Sequence, residues 1–151
     1  MNIIQTQFTL QYKSFDIYIA GCSGEPKCVN CHNKSSWDFN IGYKYDTEYF
    51  NKHIKQVVET ATNLIDNIMI FGGEPLDQDN NCLETLLTDL NSLNKKIWLF
   101  TRYELSEIPN NILYKIDYVK TGRYLEQYSN DNYYQFNLKL STDNQKIFKL
   151  R

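Results

Sequence analysis

Three of the four cysteines, Cys22, Cys28 and Cys31, lie in one short stretch, Gly21-Cys22-Ser23-Gly24-Glu25-Pro26-Lys27-Cys28-Val29-Asn30-Cys31-His32-Asn33. Closely spaced thiolates in a chain without an export signal are metal ligands more often than disulfide partners. Gly24 and Pro26 are turn residues, so this stretch is a loop able to curl around an ion or a cluster. Two chemistries stand open on the spacing C-x5-C-x2-C. Structural zinc requires four closed ligands. His32 adjoins Cys31 and makes a poor fourth, because adjacent side chains rarely converge on one tetrahedral centre. Cys82 completes an all-cysteine site only if the fold brings it there. The other chemistry is an iron–sulfur cluster on three thiolates, whose remaining iron is open to a substrate or cofactor. Plain buried thiols are the bland alternative.

The chain around this loop is ordinary in size and composition. Its 151 residues are one domain's worth, so a single domain over residues 1–151 is expected. Apolar residues make up 42% and charged residues 23%, which argues for a packed core and against global disorder. Sixteen basic and eighteen acidic side chains leave a net charge of −2. That balance offers no electrostatic footprint for nucleic acid or an anionic membrane. No apolar run approaches the roughly 20 residues of a membrane helix. The opening Met1-Asn-Ile-Ile-Gln-Thr-Gln lacks the basic-then-apolar pattern of a signal peptide. A soluble, cytoplasmic protein is expected.

The elements that must position the cysteines alternate between strand and helix. Residues 3–10 predict an opening strand, and 15–20 a better one that ends just before Cys22. Residues 21–45 read as a long loop, and such loops are usually functional. Asp46 caps a predicted helix to about Thr62, with Phe50, Ile54, Val57, Val58 and Ala61 at helical spacing. A short buried strand over 67–71 runs into Gly72-Gly73-Glu74-Pro75. A second helix starts at Asn80 or Asn81 and carries Leu83, Leu86, Leu87, Leu90 and Leu93 on one stripe. Strands follow at 96–100 and 117–121, around a helix near 106–115 that Pro109 interrupts. Residues 136–140 and 146–150 are strand-like, around a turn at 142–144. The alternation argues for parallel βαβ units. A full eightfold barrel of about 250 residues does not fit this length, whereas an open, partial barrel does. In such folds ligands sit at the carboxyl ends of the parallel strands. The cysteine loop, Gly72-Gly73-Glu74-Pro75, Thr101 and the 120–122 stretch all fall there.

Cys28-Val-Asn-Cys31-His32-Asn33, then Trp37-Asp38, then a strand ending in Gly72-Gly73-Glu74-Pro75, resembles the radical S-adenosylmethionine (SAM) enzymes. The Cys-His-Asn and Trp arrangement narrows the resemblance to the activases of glycyl radical enzymes. The tail, Asp117-Tyr-Val-Lys-Thr-Gly-Arg-Tyr124 and then Asn144-Gln145-Lys146, resembles those that serve anaerobic ribonucleoside-triphosphate reductase. The resemblance runs from about Asp16 to Phe148. It departs from the family at the first cysteine interval, which is usually three residues; two extra residues in a Gly/Pro loop can bulge outward without moving the sulfurs. It implies a shortened, open (β/α) barrel of the radical SAM type.

The resemblance also implies roles. Cys22, Cys28 and Cys31 would bind a [4Fe-4S] cluster whose open iron chelates the methionine end of SAM. Reductive cleavage of SAM would yield a 5′-deoxyadenosyl radical that takes a hydrogen from a glycine of the partner. Gly72, Gly73 and Glu74 would hold the SAM amino group, glycines letting backbone approach a ligand closely. Asn30 and His32 flank a ligand and would line the pocket. Asp117 and Lys120, on a strand that in related activases reaches SAM, are further candidates, as is Thr101. A salt bridge is the alternative for Asp117 and Lys120. Trp37 reads as a packing anchor, Cys82 as a small buried residue and His53 as a surface residue. The implied partners are a glycyl radical enzyme and a flavodoxin or ferredoxin electron donor. An activase of a formate-lyase type enzyme, a peptide-modifying radical SAM enzyme, and a non-catalytic zinc-loop or cluster-carrier protein are the competing readings.

Overall fold

The computed structural model describes residues 1–151. Nine strands form: β1 (Asn2–Thr9), β2 (Ser14–Ile19), β3 (Tyr43–Lys44), β4 (Asn67–Gly72), β5 (Lys96–Phe100), β6 (Tyr118–Thr121), β7 (Tyr134–Gln135), β8 (Leu138–Lys139) and β9 (Lys146–Lys149). Seven of them make one mixed sheet in the order β3-β1-β2-β4-β5-β6-β9. The central β2, β4, β5 and β6 are mutually parallel, β1 and β9 flank them antiparallel, and β3 pairs antiparallel with β1 at the outer edge. The parallel strands lie side by side in chain order. Right-handed crossovers that never reverse direction put every connecting helix on the same face of a sheet.

Burial along the strands follows from this. Ile17, Ile19, Ile68, Ile70, Ile97, Leu99 and Val119 point to the helical face and belong to the main core. Their alternate neighbours Met69 and Trp98 point to the other face, with Phe71, Phe100 and Tyr118 beside them. Two-sided burial explains why these segments are near-continuous apolar runs. The second face has no residue of an α-helix packed on it. It is covered by the tail, through Leu138, Leu140 and Ile147. Trp98 stacks on Tyr118 with centroids 3.9 Å apart.

Helix α3 (Asn80–Asn91) buries Leu83, Leu86, Leu87 and Leu90 against the sheet. It starts at Asn80 as expected, and its cap is Asp79, which accepts from the Cys82 N–H. Asp46 caps the helical segment 47–60 as expected. That segment is α1 (Thr47–Tyr49), a π-helical stretch (Phe50–Lys55), then α2 (Gln56–Thr60). Its wider turn suits a four-residue spacing. Phe50, Ile54 and Val58 are buried, while Val57, expected on the same stripe, is 43% exposed. The helix expected near 106–115 is broken at Pro109 into a 3-10 turn, Leu105–Glu107, and the short α4 (Asn110–Leu113). The strand expected from 136 begins at Leu138. Phe136 and Asn137 have φ of 50° and 62° and form the two-residue turn of the β7–β8 hairpin. No helix is long and apolar enough to cross a membrane.

Leu86 is fully buried in the main core. Leu86→Ala should lower the unfolding free energy by about 2–5 kcal/mol in urea titrations, without changing the cysteine chemistry.

Candidate functional site

The carboxyl ends of β2, β4, β5 and β6 open onto one cavity of about 420 Å³. Cys22, Cys28 and Cys31 line it, all partly exposed and unpaired. So do Asn30, His32 and Trp37 of the same loop, Gly72, Gly73 and Glu74 after β4, Thr101 and Arg102 after β5, and Lys120 of β6. The side chains of Phe71 and Phe100, with centroids 4.2 Å apart, contribute an apolar wall.

Backbone bonds seat the cysteine loop. The Gly21 N–H donates to the Ser36 carbonyl (2.7 Å), and the Glu74 N–H donates to the Gly21 carbonyl (2.7 Å). The Gly73 N–H donates to the Ile19 carbonyl (2.8 Å). A Cβ on Gly73 would lie 2.0 Å from the Gly21 oxygen, and one on Gly72, where φ is +129°, would lie 2.1 Å from the Ile19 oxygen. Close approach of the protein's own backbone therefore already excludes a side chain at both glycines, which line the cavity.

Glu74 is 2% exposed. Its Oε1 accepts from the Thr101 hydroxyl (2.6 Å) and the Leu76 N–H (3.1 Å), and its Oε2 from the Arg102 N–H (2.7 Å). Burial pushes its carboxyl pKa up, against these three donors. The Thr101 Oγ1 also accepts from the Tyr103 N–H (3.1 Å), so Thr101 links Glu74 to the turn after β5.

A second hub has no signature in the sequence. Asp77 Oδ2 accepts from the Ser23 N–H (2.6 Å), and Oδ1 accepts from Arg102 Nη2 (2.9 Å) and the Tyr103 hydroxyl (2.7 Å). Burial opposes ionisation of Asp77, but the bonds from Tyr103 and Ser23 and the Arg102 charge outweigh it and hold the carboxyl below its usual range. Asp77, Arg102 and Tyr103 carry no recognisable spacing; only the fold joins the turn after β4 to the turn after β5.

Lys120 reaches the cavity and donates from Nζ to the Gly122 carbonyl (2.9 Å). Burial pulls its pKa down to about 8, against the opposing fields of Glu74 and Cys28. Asp117 corrects the sequence reading: it does not belong to the site. It precedes β6, at the amino end of the strand. Its carboxylate accepts from the Ile97 N–H (2.9 Å) and pairs with Lys96 (3.1 Å) and Arg151 (3.4 Å). The three-residue separation from Lys120 spans most of the strand, so the two occupy opposite ends of the sheet. Cys82 lies on α3, away from the cavity lining. His53 is on the surface beside Tyr49, centroids 4.8 Å apart.

Three unpaired, partly exposed thiols line one cavity, and a carboxylate, Glu74, lines it with them. That arrangement fits a cluster, whose ligands attach at separate corners.

The sequence profile of the 4Fe-4S single cluster domain matches residues 13–148. The chain belongs to this family. It is also 26% identical over 119 residues to the anaerobic ribonucleoside-triphosphate reductase-activating protein of Vibrio cholerae, covering 74% of each chain. The protein of the same name from Haemophilus influenzae is 27% identical over 119 residues, again 74% of each. That of Pasteurella multocida is 28% identical over 102 residues, 64% of this chain and 61% of that one. No solved structure matches the chain. Membership of the 4Fe-4S family supports an iron–sulfur cluster in this chain, in preference to zinc.

The depressed Lys120 pKa makes stability depend on pH. Between about 8 and the ordinary 10.5 the unfolded chain binds the lysine proton more tightly than the fold does, so stability rises with pH across that window. Urea midpoints of the cluster-free chain, measured on either side of the window, should show this rise. Lys120→Met should remove the lysine's share of it, so the variant's advantage at neutral pH shrinks as the pH rises.

Proposed function

We propose that this chain is a radical SAM activase that installs the glycyl radical of an anaerobic ribonucleoside-triphosphate reductase. The observation that carries the reading is the meeting of Cys22, Cys28 and Cys31 with Gly72, Gly73 and Glu74 around one cavity. The names of the relatives, covering most of this chain, supply the target. The chain would act as one radical SAM domain, its parallel strands forming a shortened, open (β/α) barrel. That architecture is supported by the unreversed order of β2, β4, β5 and β6 and by helices on one face only. A cytoplasmic location and a flavodoxin or ferredoxin donor complete the reading.

A [4Fe-4S] cluster held by Cys22, Cys28 and Cys31 would supply the electron for reductive cleavage of the sulfonium C–S bond of SAM. The protein's task is to hold the methionine end of SAM and keep the reacting carbon directed at its target. A carboxylate offers about four lone-pair positions, and Glu74 uses three on its own fold. The remaining one, with the carbonyls of Gly72 and Gly73, can accept from the SAM ammonium. Lys120 brings a cation to the same cavity for the SAM carboxylate, and Asn30 and His32 form its rim. Thr101 fixes the Glu74 carboxylate. Phe71 and Phe100 keep that side of the cavity apolar and exclude water.

Anaerobically reconstituted protein, given dithionite and SAM together with the reductase, should release 5′-deoxyadenosine and give a glycyl-radical EPR signal on the reductase. Cys28→Ser should abolish both. A protein carrying four irons that gives neither product nor radical with the reductase present would overturn the reading.

A further inference from the structure

Arg102 has an unused donor at a place where the polypeptide offers no acceptor. Its Nη2 is committed to Asp77 Oδ1 and to the Tyr103 hydroxyl, both at 2.9 Å, and its guanidinium carbon sits 4.2 Å from the centre of the Tyr103 ring. Its main-chain N–H is taken by Glu74. Its Nε is buried and has no hydrogen-bond partner. The nearest carboxylate oxygen, Glu74 Oε2, is 3.9 Å away, beyond hydrogen-bond range.

The Nε edge lies against the cysteine loop. A Cβ on Gly24, two residues past Cys22, would fall 3.1 Å from Nε, so a side chain there would press on the guanidinium. Arg102 and Cys22 line the same cavity. Asp77 fixes both parts at once, holding the loop through the Ser23 N–H and the arginine through Nη2. The guanidinium cannot swing out to solvent without breaking its bonds to Asp77 and Tyr103. Buried donors left without a partner are rare in folded proteins and call for an explanation such as a missing ligand. Sulfur at the Cys22 corner of a cluster is the acceptor that this cavity would acquire.

We propose that Arg102 is a positioning and potential-setting residue, its Nε–H donating to sulfur at the Cys22 corner of the cluster. The inference rests on the cluster assignment to Cys22, Cys28 and Cys31. A hydrogen bond and a fixed cation beside the sulfurs stabilise the more negative, reduced cluster more than the oxidised one, and so raise the reduction potential. Nothing in the spacing of Arg102 marks it, since it sits in an ordinary turn after β5.

The test is the midpoint potential of the reconstituted cluster without SAM, followed by EPR in a redox titration, in wild type, Arg102→Lys and Arg102→Gln. Arg102→Gln removes the charge, and Arg102→Lys keeps the charge but loses Nε. Arg102→Gln should lower the reduced-to-oxidised ratio at a fixed potential about tenfold, ~59 mV for a one-electron couple. Arg102→Lys should fall between it and wild type. Four-iron variants with the wild-type midpoint would overturn the inference. If Arg102→Gln fails to hold four irons, Arg102→Lys decides alone, a negative shift supporting the inference and an unchanged midpoint overturning it. Wild type that takes up no four-iron cluster would sink the cluster assignment, and this inference with it, before any variant is compared.

Discussion

The site depends on one close approach of backbone to backbone. At Gly73 there is no room for a side chain, because a Cβ would meet the Gly21 carbonyl at 2.0 Å and the Ser36 carbonyl at 2.7 Å. That contact lets the end of β4 sit against both ends of the cysteine loop. The hydrogen bonds from Gly73 to Ile19 and from Glu74 to Gly21 are possible only at this distance. The loop has little regular structure, so its cysteines are held by what its ends are bonded to.

The next residue turns that contact into a junction of strand ends. Glu74 is buried, and its carboxylate reaches from the turn after β4 to Thr101 and Arg102 after β5. Asp77, a few residues on, reaches back to Ser23 of the cysteine loop and across to Arg102 and Tyr103. Two carboxylates therefore tie three chain segments together at the rim of the cavity. Buried charge is tolerable here because each oxygen has a donor. Arg102 and Lys120 bring positive charge to the same rim, and the Lys120 pKa records the cost of enclosing it.

The two faces of the sheet divide the labour. The helical face is packed mainly by apolar side chains, and none of its buried core residues lines the cavity. The other face carries Phe71 and Phe100 at the strand ends and is closed by the tail. Lys139, Leu140 and Gln145 of that tail reach the cavity, so the segment that seals the second core also completes the wall. Unreversed parallel order makes this possible by keeping every helix off that face.

The sequence by itself determined the cysteine loop, the turn at Gly72-Gly73-Glu74 and the parallel strands that lead to them. These are local signals, namely thiol spacing, turn residues and apolar runs, and each is complete within a few residues. It also determined the Asp46 cap and the leucine stripe of α3, for the same reason. What only the tertiary structure decided depends on pairs far apart in the chain. The Asp77–Arg102–Ser23 hub, the antiparallel edge strands and the removal of Asp117 to the far end of β6 are of this kind. The π-helical stretch and the turn at Phe136-Asn137 were hidden differently: local propensity favoured another conformation, and packing of Phe50, Ile54 and Leu138 into the cores overruled it. A strand's residues alternate between faces by geometry, but which end of the sheet a residue occupies is fixed only when the strand finds its neighbours.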